Sequence, residues 1–397
     1  MNSNLGKLQA YPFEKLRQLM AGITPKPGVS EIKLHMGEPR HATPEFIKEA
    51  LVVGLGGLST YPATPGQPAL RQAIADWMKK RYGLDGINPD TEILPVNGSR
   101  EALFSFTQAI IDPNCGYVPL VVSPNPFYQI YEGGAYLAGA DIRFLNSVRE
   151  NDYAFDYASL SEEEWRRVQL LVVCSPGNPS GKVLNLDDWK ALFTLSDKYG
   201  FVIASDECYS EIYFDEAQPP LGGLQAAKQL GRNFERLVML SSLSKRSNVP
   251  GMRSGFVAGD AAILKDYLRY RTYHGCAMSP VFQAASIAAW KDEAHVVANR
   301  EQYRRKFAEA APLVQSVLDA PLPEAGFYLW AKTPISDTDF ARRLAAEHNV
   351  HVLPGSFLAR QAHDINPGAG YVRIALVATL AECLEAASRI QQFLTRL

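Results

Sequence analysis

The chain has 397 residues, of which 47% are hydrophobic and 21% charged, and carries a formal charge of -2 at pH 7. That length exceeds one ordinary core, so two domains or one large elaborated domain are expected. The near-neutral balance gives no field for nucleic acid or an anionic membrane. No apolar run approaches the roughly 20 residues of a spanning helix.

The five cysteines are scattered and include no Cys-x-x-Cys, which argues against a disulfide framework or a zinc site. Met1 to Ala10 lacks a basic stretch followed by an apolar one. No signal peptide is therefore expected, and a cytoplasmic location fits.

In chain order, Tyr11 to Met20 predicts a short amphipathic helix closed by Pro25 and Pro27. Ile32 to Met36 reads as a strand running into the turn Gly37-Glu38-Pro39. Pro44 to Leu55 is helical with proline in its first turn. The kinked loop Tyr61-Pro62-Ala63-Thr64-Pro65-Gly66 follows, and then the amphipathic helix Pro68 to Tyr82.

From Glu92 the pattern alternates. A strand to Val96 meets Asn97-Gly98-Ser99-Arg100-Glu101, which opens a helix to Ile111. This turn would offer free backbone N–H groups to an anion. Leu120-Val121-Val122 leads into Ser123-Pro124-Asn125-Pro126-Phe127-Tyr128. Leu170 to Cys174 leads into Ser175-Pro176-Gly177-Asn178-Pro179-Ser180-Gly181. A helix from Leu186 to Tyr199 precedes the strand Phe201 to Asp206. Leu237 to Leu240 enters Ser241-Ser242-Leu243-Ser244-Lys245-Arg246, and Gly255 to Gly259 is again strand-like.

Near-continuous apolar strands separated by helices indicate a buried, mainly parallel sheet. Such sheets gather ligands at the carboxyl ends of their strands, where Asn178, Asp206 and Lys245 all fall. After Ala261 the chain is mostly helical, including a long helix from Ala298 to Val317. Strands at Gly326 to Trp330, His351 to Leu353 and Tyr371 to Leu376, with a closing helix from Leu380, predict a smaller α+β unit. Arg300, Glu301, Arg304, Arg305 and Lys306 read as a solvated helix face. His348 and His351 read as structural.

A lysine amine can form a Schiff base with an aldehyde cofactor, and hydroxyls with an arginine suit a phosphate. The stretch from Ser242 to Arg253 offers this set and points to pyridoxal 5'-phosphate (PLP). A buried carboxylate can keep the cofactor's ring nitrogen protonated. Asp206 ends an apolar strand and qualifies, although it could also cap the following turn. Asn178 and Tyr209 can donate to the phenolic oxygen, and turn or packing roles compete for each. Tyr128 can stack on the ring, with Phe127 as its rival. Arg373, on a strand of the smaller unit, can bind a substrate carboxylate, or it can form an ordinary edge salt bridge.

These motifs, in this order over nearly the whole length, resemble the class I/II aminotransferases, PLP enzymes of fold type I. The resemblance implies a large α/β domain with a mainly parallel central sheet flanked by helices (residues 46–292). A smaller α+β domain would comprise 293–397 with part of the arm 1–45. Lys245 would hold PLP and shuttle the proton during transfer. Asp206 would pair with the ring nitrogen. Asn178 and Tyr209 would bond the phenolic oxygen, and Tyr128 would stack. The N–H groups of Ser99 and Arg100, with Ser242, Ser244 and Arg253, would hold the phosphate. Arg373 would take the α-carboxylate with Gly37 close by. Tyr61 would reach the phosphate of a neighbouring subunit, making a homodimer. Ser254 departs from the apolar residue usual at that point of the lysine signature.

Gly37-Glu38-Pro39-Arg40-His41 and Leu243-Ser244-Lys245-Arg246-Ser247-Asn248 are most similar to the N-succinyl-L,L-diaminopimelate aminotransferases of lysine biosynthesis. That similarity implies glutamate as amino donor and N-succinyl-2-amino-6-ketopimelate as acceptor. Aspartate, alanine or aromatic aminotransferases, and a carbon–sulfur lyase of the same fold type, are the alternatives. Arg40, Arg246, Asn248, Arg269 and Arg271 are chemically suited to hold the distal acid.

Overall fold

A computed structural model describes residues 1–397. The strands in chain order are β1 (Ile32–Lys33), β2 (Ile93–Val96), β3 (Leu120–Asn125), β4 (Asp141–Asn146), β5 (Val168–Cys174), β6 (Val202–Asp206), β7 (Leu237–Ser242), β8 (Gly255–Gly259), β9 (Tyr328–Lys332), β10 (Val350–His351), β11 (Leu353–Pro354) and β12 (Tyr371–Ala375). Seven form the central sheet, in the order β2-β8-β7-β6-β5-β3-β4. From β7 to β4 every pairing is parallel, and β8 is antiparallel to both β7 and β2. The mainly parallel sheet expected from the apolar runs is therefore present. The antiparallel strand arises because the Pro250-Gly251 bend returns the chain directly beside β7. A parallel neighbour would need a longer crossover.

The sheet is buried on both faces, as the two-residue period of a strand dictates. Leu120, Val122, Leu171, Val173, Ile203 and Met239 pack into one core. Their neighbours Val121, Leu170, Val172, Ala204, Val238 and Leu240 pack into another on the opposite face. The edge strand β4 escapes the sequence reading because its burial is mixed, with only Ile142 and Leu145 fully inside.

Local sequence sets the flanking helices. Pro68 starts the helix Pro68–Tyr82, and Gly83, with φ 67, ends it in the left-handed region. Asn185 caps Leu186–Tyr199 in a capping box with Asp188.

A three-stranded antiparallel sheet, β11-β12-β9, carries a separate core. The N-terminal segment joins it, since β1 pairs in parallel with β10 and the Leu34 carbonyl accepts from Ala375 N at 2.8 Å.

The expected solvated face of the long helix Ala294–Gln315 is corrected at two positions. Arg300 and Lys306 are buried. Arg300 makes a fork to Glu216 at 2.8 and 2.7 Å. Lys306 Nζ meets His41 Nε2 at 2.6 Å. Both partners come from distant segments, so helical periodicity gave no sign of them.

Candidate active site

The central strands end at one cavity of about 490 Å³. Its wall brings together Gly37, Ser99, Arg100, Tyr128, Asn178, Asp206, Tyr209, Ser242, Ser244, Lys245, Arg253 and Arg373. Tyr61 is absent from this wall and stands fully exposed on the surface.

Lys245 sits on the short helix Leu243–Arg246, directly after β7. Its Nζ donates to the Gly37 carbonyl at 2.5 Å and lies 5.7 Å from the centre of the Phe327 ring. Burial lowers its pKa to about 8, and the nearby charges of Arg373 and Arg253 push the same way against Cys208 and Glu38. A useful fraction of neutral amine near physiological pH follows.

Asp206 ends β6 and is buried. Its Oδ2 accepts from the Tyr131 hydroxyl at 2.7 Å, and its Oδ1 accepts from Cys208 N at 3.3 Å. Burial raises its pKa despite these bonds. Glu207 belongs to the opposite side of the sheet. It accepts from Ser205 Oγ at 2.9 Å, Gly223 N at 2.8 Å and the Tyr82 hydroxyl at 3.2 Å.

Arg373, on β12, donates to Asn178 Oδ1 at 2.9 Å and to the His35 carbonyl at 3.0 Å. Its guanidinium lies 4.4 Å from the centre of the Tyr328 ring, and its buried Nε has no partner. The bond from Arg373 leaves the Nδ2 group of Asn178 as a free donor. Tyr209 shares a hydrogen bond of 2.9 Å with Tyr328.

At the other end of the cavity, Ser242 Oγ bonds Ser244 Oγ at 3.0 Å, and Arg253 Nη1 donates to the Pro250 carbonyl at 2.8 Å. Ser99 and Arg100 begin the helix Ser99–Ile110 after Gly98, whose φ is 86. The first N–H groups of a helix have no partner within it. A Cβ on Gly98 would collide with the Arg253 guanidinium.

This donor set fits PLP. It combines an amine, a buried carboxyl without a cation, free amide hydrogens, and a cradle of hydroxyls, helix N–H groups and an arginine. Gly98→Ala is expected to weaken PLP binding about tenfold, because the displaced guanidinium loses a charge-assisted bond and a non-glycine residue is strained at positive φ. Titration of the cofactor-free protein with PLP checks this.

Several expectations are corrected or resolved here. Arg40, Arg246, Asn248, Arg269 and Arg271 do not line the cavity. Arg246 is buried against the Ala289 carbonyl at 2.7 Å and Glu293 at 2.9 Å. Arg271 is buried against Glu101 at 2.6 Å. Asn248 donates to Asn299 at 3.0 Å. Arg269 is exposed beside Asp266, and Arg40 is exposed. Between the two aromatic candidates, Tyr128 lines the cavity, whereas Phe127 is buried against Phe144 at 4.8 Å.

The sequence reading missed Tyr131, Tyr328 and Tyr11. Tyr131 lies three residues after Tyr128, across the turn that opens the helix Ile130–Leu137, where its N–H donates to the Tyr128 carbonyl at 3.0 Å; that closeness in sequence is the signal that could have found it. Arg100 also does more than expose its N–H. Its side chain donates to the hydroxyls of Tyr128 and Tyr11, both at 2.7 Å.

The sequence profile of aminotransferase class I and II matches residues 29–390. The chain belongs to this family. Class I/II aminotransferases are PLP-dependent transferases acting on small amino and keto acids. Among solved relatives, an aminotransferase from Neisseria meningitidis Z2491 is 56% identical with TM-score 0.96, covering 99% of this chain and 100% of that one. An LL-diaminopimelate aminotransferase from Nitratidesulfovibrio vulgaris (strain DP4) is 31% identical over 97% of each chain. A Thermus thermophilus structure described as "probable N-succinyldiaminopimelate aminotransferase" is 28% identical with TM-score 0.84, covering 96% of this chain and 99% of that one. In this aminotransferase no helix is long and apolar enough to cross a membrane.

Proposed function

We propose that this aminotransferase moves an amino group between glutamate and N-succinyl-2-amino-6-ketopimelate, the succinyldiaminopimelate transaminase step of lysine formation. The observation that carries the reading is a cation left over in the cavity. Arg373 suits the α-carboxylate and Arg253 the phosphate end. Arg100 then remains as the one further arginine of the wall, beside Tyr11 and Tyr128. A substrate with a second acid far from its α-carbon gives that charge a partner. The names of the Nitratidesulfovibrio and Thermus relatives support the diaminopimelate class.

PLP supplies the aldehyde that accepts the amino group and the ring that delocalises the resulting electron pair. The chain does the rest. Lys245 Nζ carries the proton to and from the substrate α-carbon, and its lowered pKa suits it as a base. Asp206 holds a proton on the ring nitrogen, and the Tyr131 hydroxyl orients that carboxylate. Asn178 Nδ2 and Tyr209 would donate to the phenolic oxygen, and Tyr128 would pack on the ring. Ser99 and Arg100 N–H groups, Ser242, Ser244 and Arg253 would hold the phosphate. Gly37 keeps the approach to Arg373 open, since a Cβ there would strike the Tyr328 hydroxyl. Tyr61, exposed here, completes the phosphate site of a second copy in a homodimer.

Arg373→Met is expected to raise KM for both amino donor and keto acid about 100-fold or more, since two charge-assisted bonds are worth roughly 3 kcal/mol or more together. Cofactor absorbance should be unchanged. A loss of kcat with KM intact would remove Arg373 from carboxylate binding.

The substrate test is a single-turnover absorbance assay. Glutamate is expected to bleach the bound cofactor's visible band, and a productive keto acid to restore it. Fast recovery with N-succinyl-2-amino-6-ketopimelate, and slow recovery with oxaloacetate, pyruvate and phenylpyruvate, supports the proposal. Fast recovery with a small keto acid replaces it with an aspartate, alanine or aromatic reading. Pyruvate and ammonia released from cystathionine would point to a lyase. The relatives named LL-diaminopimelate aminotransferase favour a second reading, amino transfer with free LL-diaminopimelate as donor. Bleaching by LL-diaminopimelate but not by its succinylated form would select it.

A further inference from the structure

We propose that Asn299 is the positioning residue for Lys245, holding in place both the helix that carries the amine and the segment that the amine faces. The proposal rests on the reading of Lys245 as the amine that bonds PLP.

Lys245 lies on a helix of one turn, Leu243–Arg246. So short a helix has little stability of its own, and its last carbonyls find no partner within it. Asn299, on the long helix Ala294–Gln315, supplies one. Its Nδ2 group donates to the Lys245 carbonyl at 3.2 Å and to the Arg246 carbonyl at 3.5 Å. Its Oδ1 accepts from His41 Nδ1 at 2.7 Å and from Asn248 Nδ2 at 3.0 Å. Asn248, at φ 54, forms the left-handed turn that ends the Lys245 helix.

These four bonds use both hydrogens and both lone pairs of the amide. Turned over, the amide would set its oxygen against two carbonyls. Asn299 is only 2% exposed, so water does not replace a lost bond there. The direction of the His41 bond is fixed one step further along. Lys306 Nζ meets His41 Nε2 at 2.6 Å and donates to the Val377 carbonyl at 3.4 Å. An ammonium has only hydrogens to give, so Nε2 accepts and Nδ1 carries the imidazole proton. Burial keeps that ring neutral, lowering its pKa to about 4.

His41 stands four residues after Gly37, whose carbonyl accepts from Lys245 Nζ at 2.5 Å. Asn299 therefore grips both segments that meet at the amine, one through His41 and the other through the carbonyl of Lys245 itself. The opposite end of the short helix is held separately. Ser242 Oγ accepts from Ser244 N at 3.1 Å, and Leu243 N donates to the Ser254 carbonyl at 3.1 Å. Loss of the Asn299 amide should loosen the amine and spare the phosphate end.

The test uses the full-length protein freed of cofactor, and two readouts. The first is the rate of covalent PLP capture, fixed by borohydride reduction. The second is affinity for pyridoxamine 5'-phosphate, which has the same ring and phosphate but no aldehyde for Lys245 to bond. Asn299→Leu is expected to slow capture about tenfold and to leave pyridoxamine 5'-phosphate affinity within about threefold. His41→Phe keeps a ring beside Tyr303, now 4.5 Å away between centres, but removes the donor, and should also slow capture. His41→Asn, whose Nδ2 can stand in for Nδ1, should restore much of the rate. Capture at the wild-type rate in Asn299→Leu, or an equal loss of pyridoxamine 5'-phosphate affinity, would overturn the proposal. If Asn299→Leu does not fold, the His41 pair decides, and His41→Asn capturing no faster than His41→Phe would overturn it. Lys245→Ala is the control for the underlying reading. Wild-type capture by that variant would overturn the reading and the proposal together, whereas its failure to capture leaves Asn299 to be judged by its own variants.

Discussion

Lys245→Ala is expected to abolish steady-state transamination while PLP still binds. The reasoning separates two jobs. The amine is the one group of the wall that can both bond an aldehyde and act as a base near neutral pH, since burial brings its pKa to about 8. The proposed phosphate cradle of Ser242, Ser244, Arg253 and the helix starting at Ser99 uses other residues of the wall and is expected to survive the substitution. Spectrophotometric PLP titration and a glutamate turnover assay on the same preparation measure both. Undiminished turnover would remove Lys245 from the chemistry.

The wild-type amine also predicts a pH dependence. A lysine with a lowered pKa is protonated, and so unreactive toward an aldehyde, below about 8. The rate at which cofactor-free protein takes up PLP should therefore rise with pH through that value and level off above it.

Asp206→Ala is expected to lower kcat by about two to four decades, because removing one member of a buried charged pair costs roughly 3–5 kcal/mol and each decade is about 1.4 kcal/mol. The neighbouring acids offer no replacement. Glu207 is committed to Ser205, Gly223 and Tyr82 on the opposite side. Glu38 lines the cavity but is exposed. Tyr131→Phe gives a graded companion, since it removes the 2.7 Å bond that orients Asp206 and leaves the carboxylate in place. A smaller loss, about tenfold, is expected there. A near-normal rate in Asp206→Ala would mean that the ring nitrogen needs no anion.

Much of the site was legible because its residues sit where chain direction changes at strand ends. An apolar run that stops at Asp206, or at Ser242 before Lys245, announces both the strand and the side chain delivered at its end. Glycine motifs were legible for a related reason, since Gly98 at φ 86 reports a backbone shape that few other residues adopt. Which arginines face the cavity was not legible. Arg246 and Arg271 look as free in sequence as Arg100 does, yet both are buried in ion pairs with Glu293 and Glu101.

The sequence by itself determined the alternation of strand and helix, the buried sheet, the family resemblance and the residues at the strand ends. The elements follow from periodicity, the strand-end residues from a turn within a few residues, and the resemblance from the order of the motifs along the chain. Only the tertiary structure decided which charges are buried, that Tyr128 rather than Phe127 faces the cavity, that Tyr131 holds Asp206, and that Arg100 reaches Tyr11. The physical reason is range. A side chain's partner across a core or cavity comes from a segment tens or hundreds of residues away, as Lys306 meets His41 and Arg373 meets Asn178. No local pattern encodes that pairing; the packed fold does.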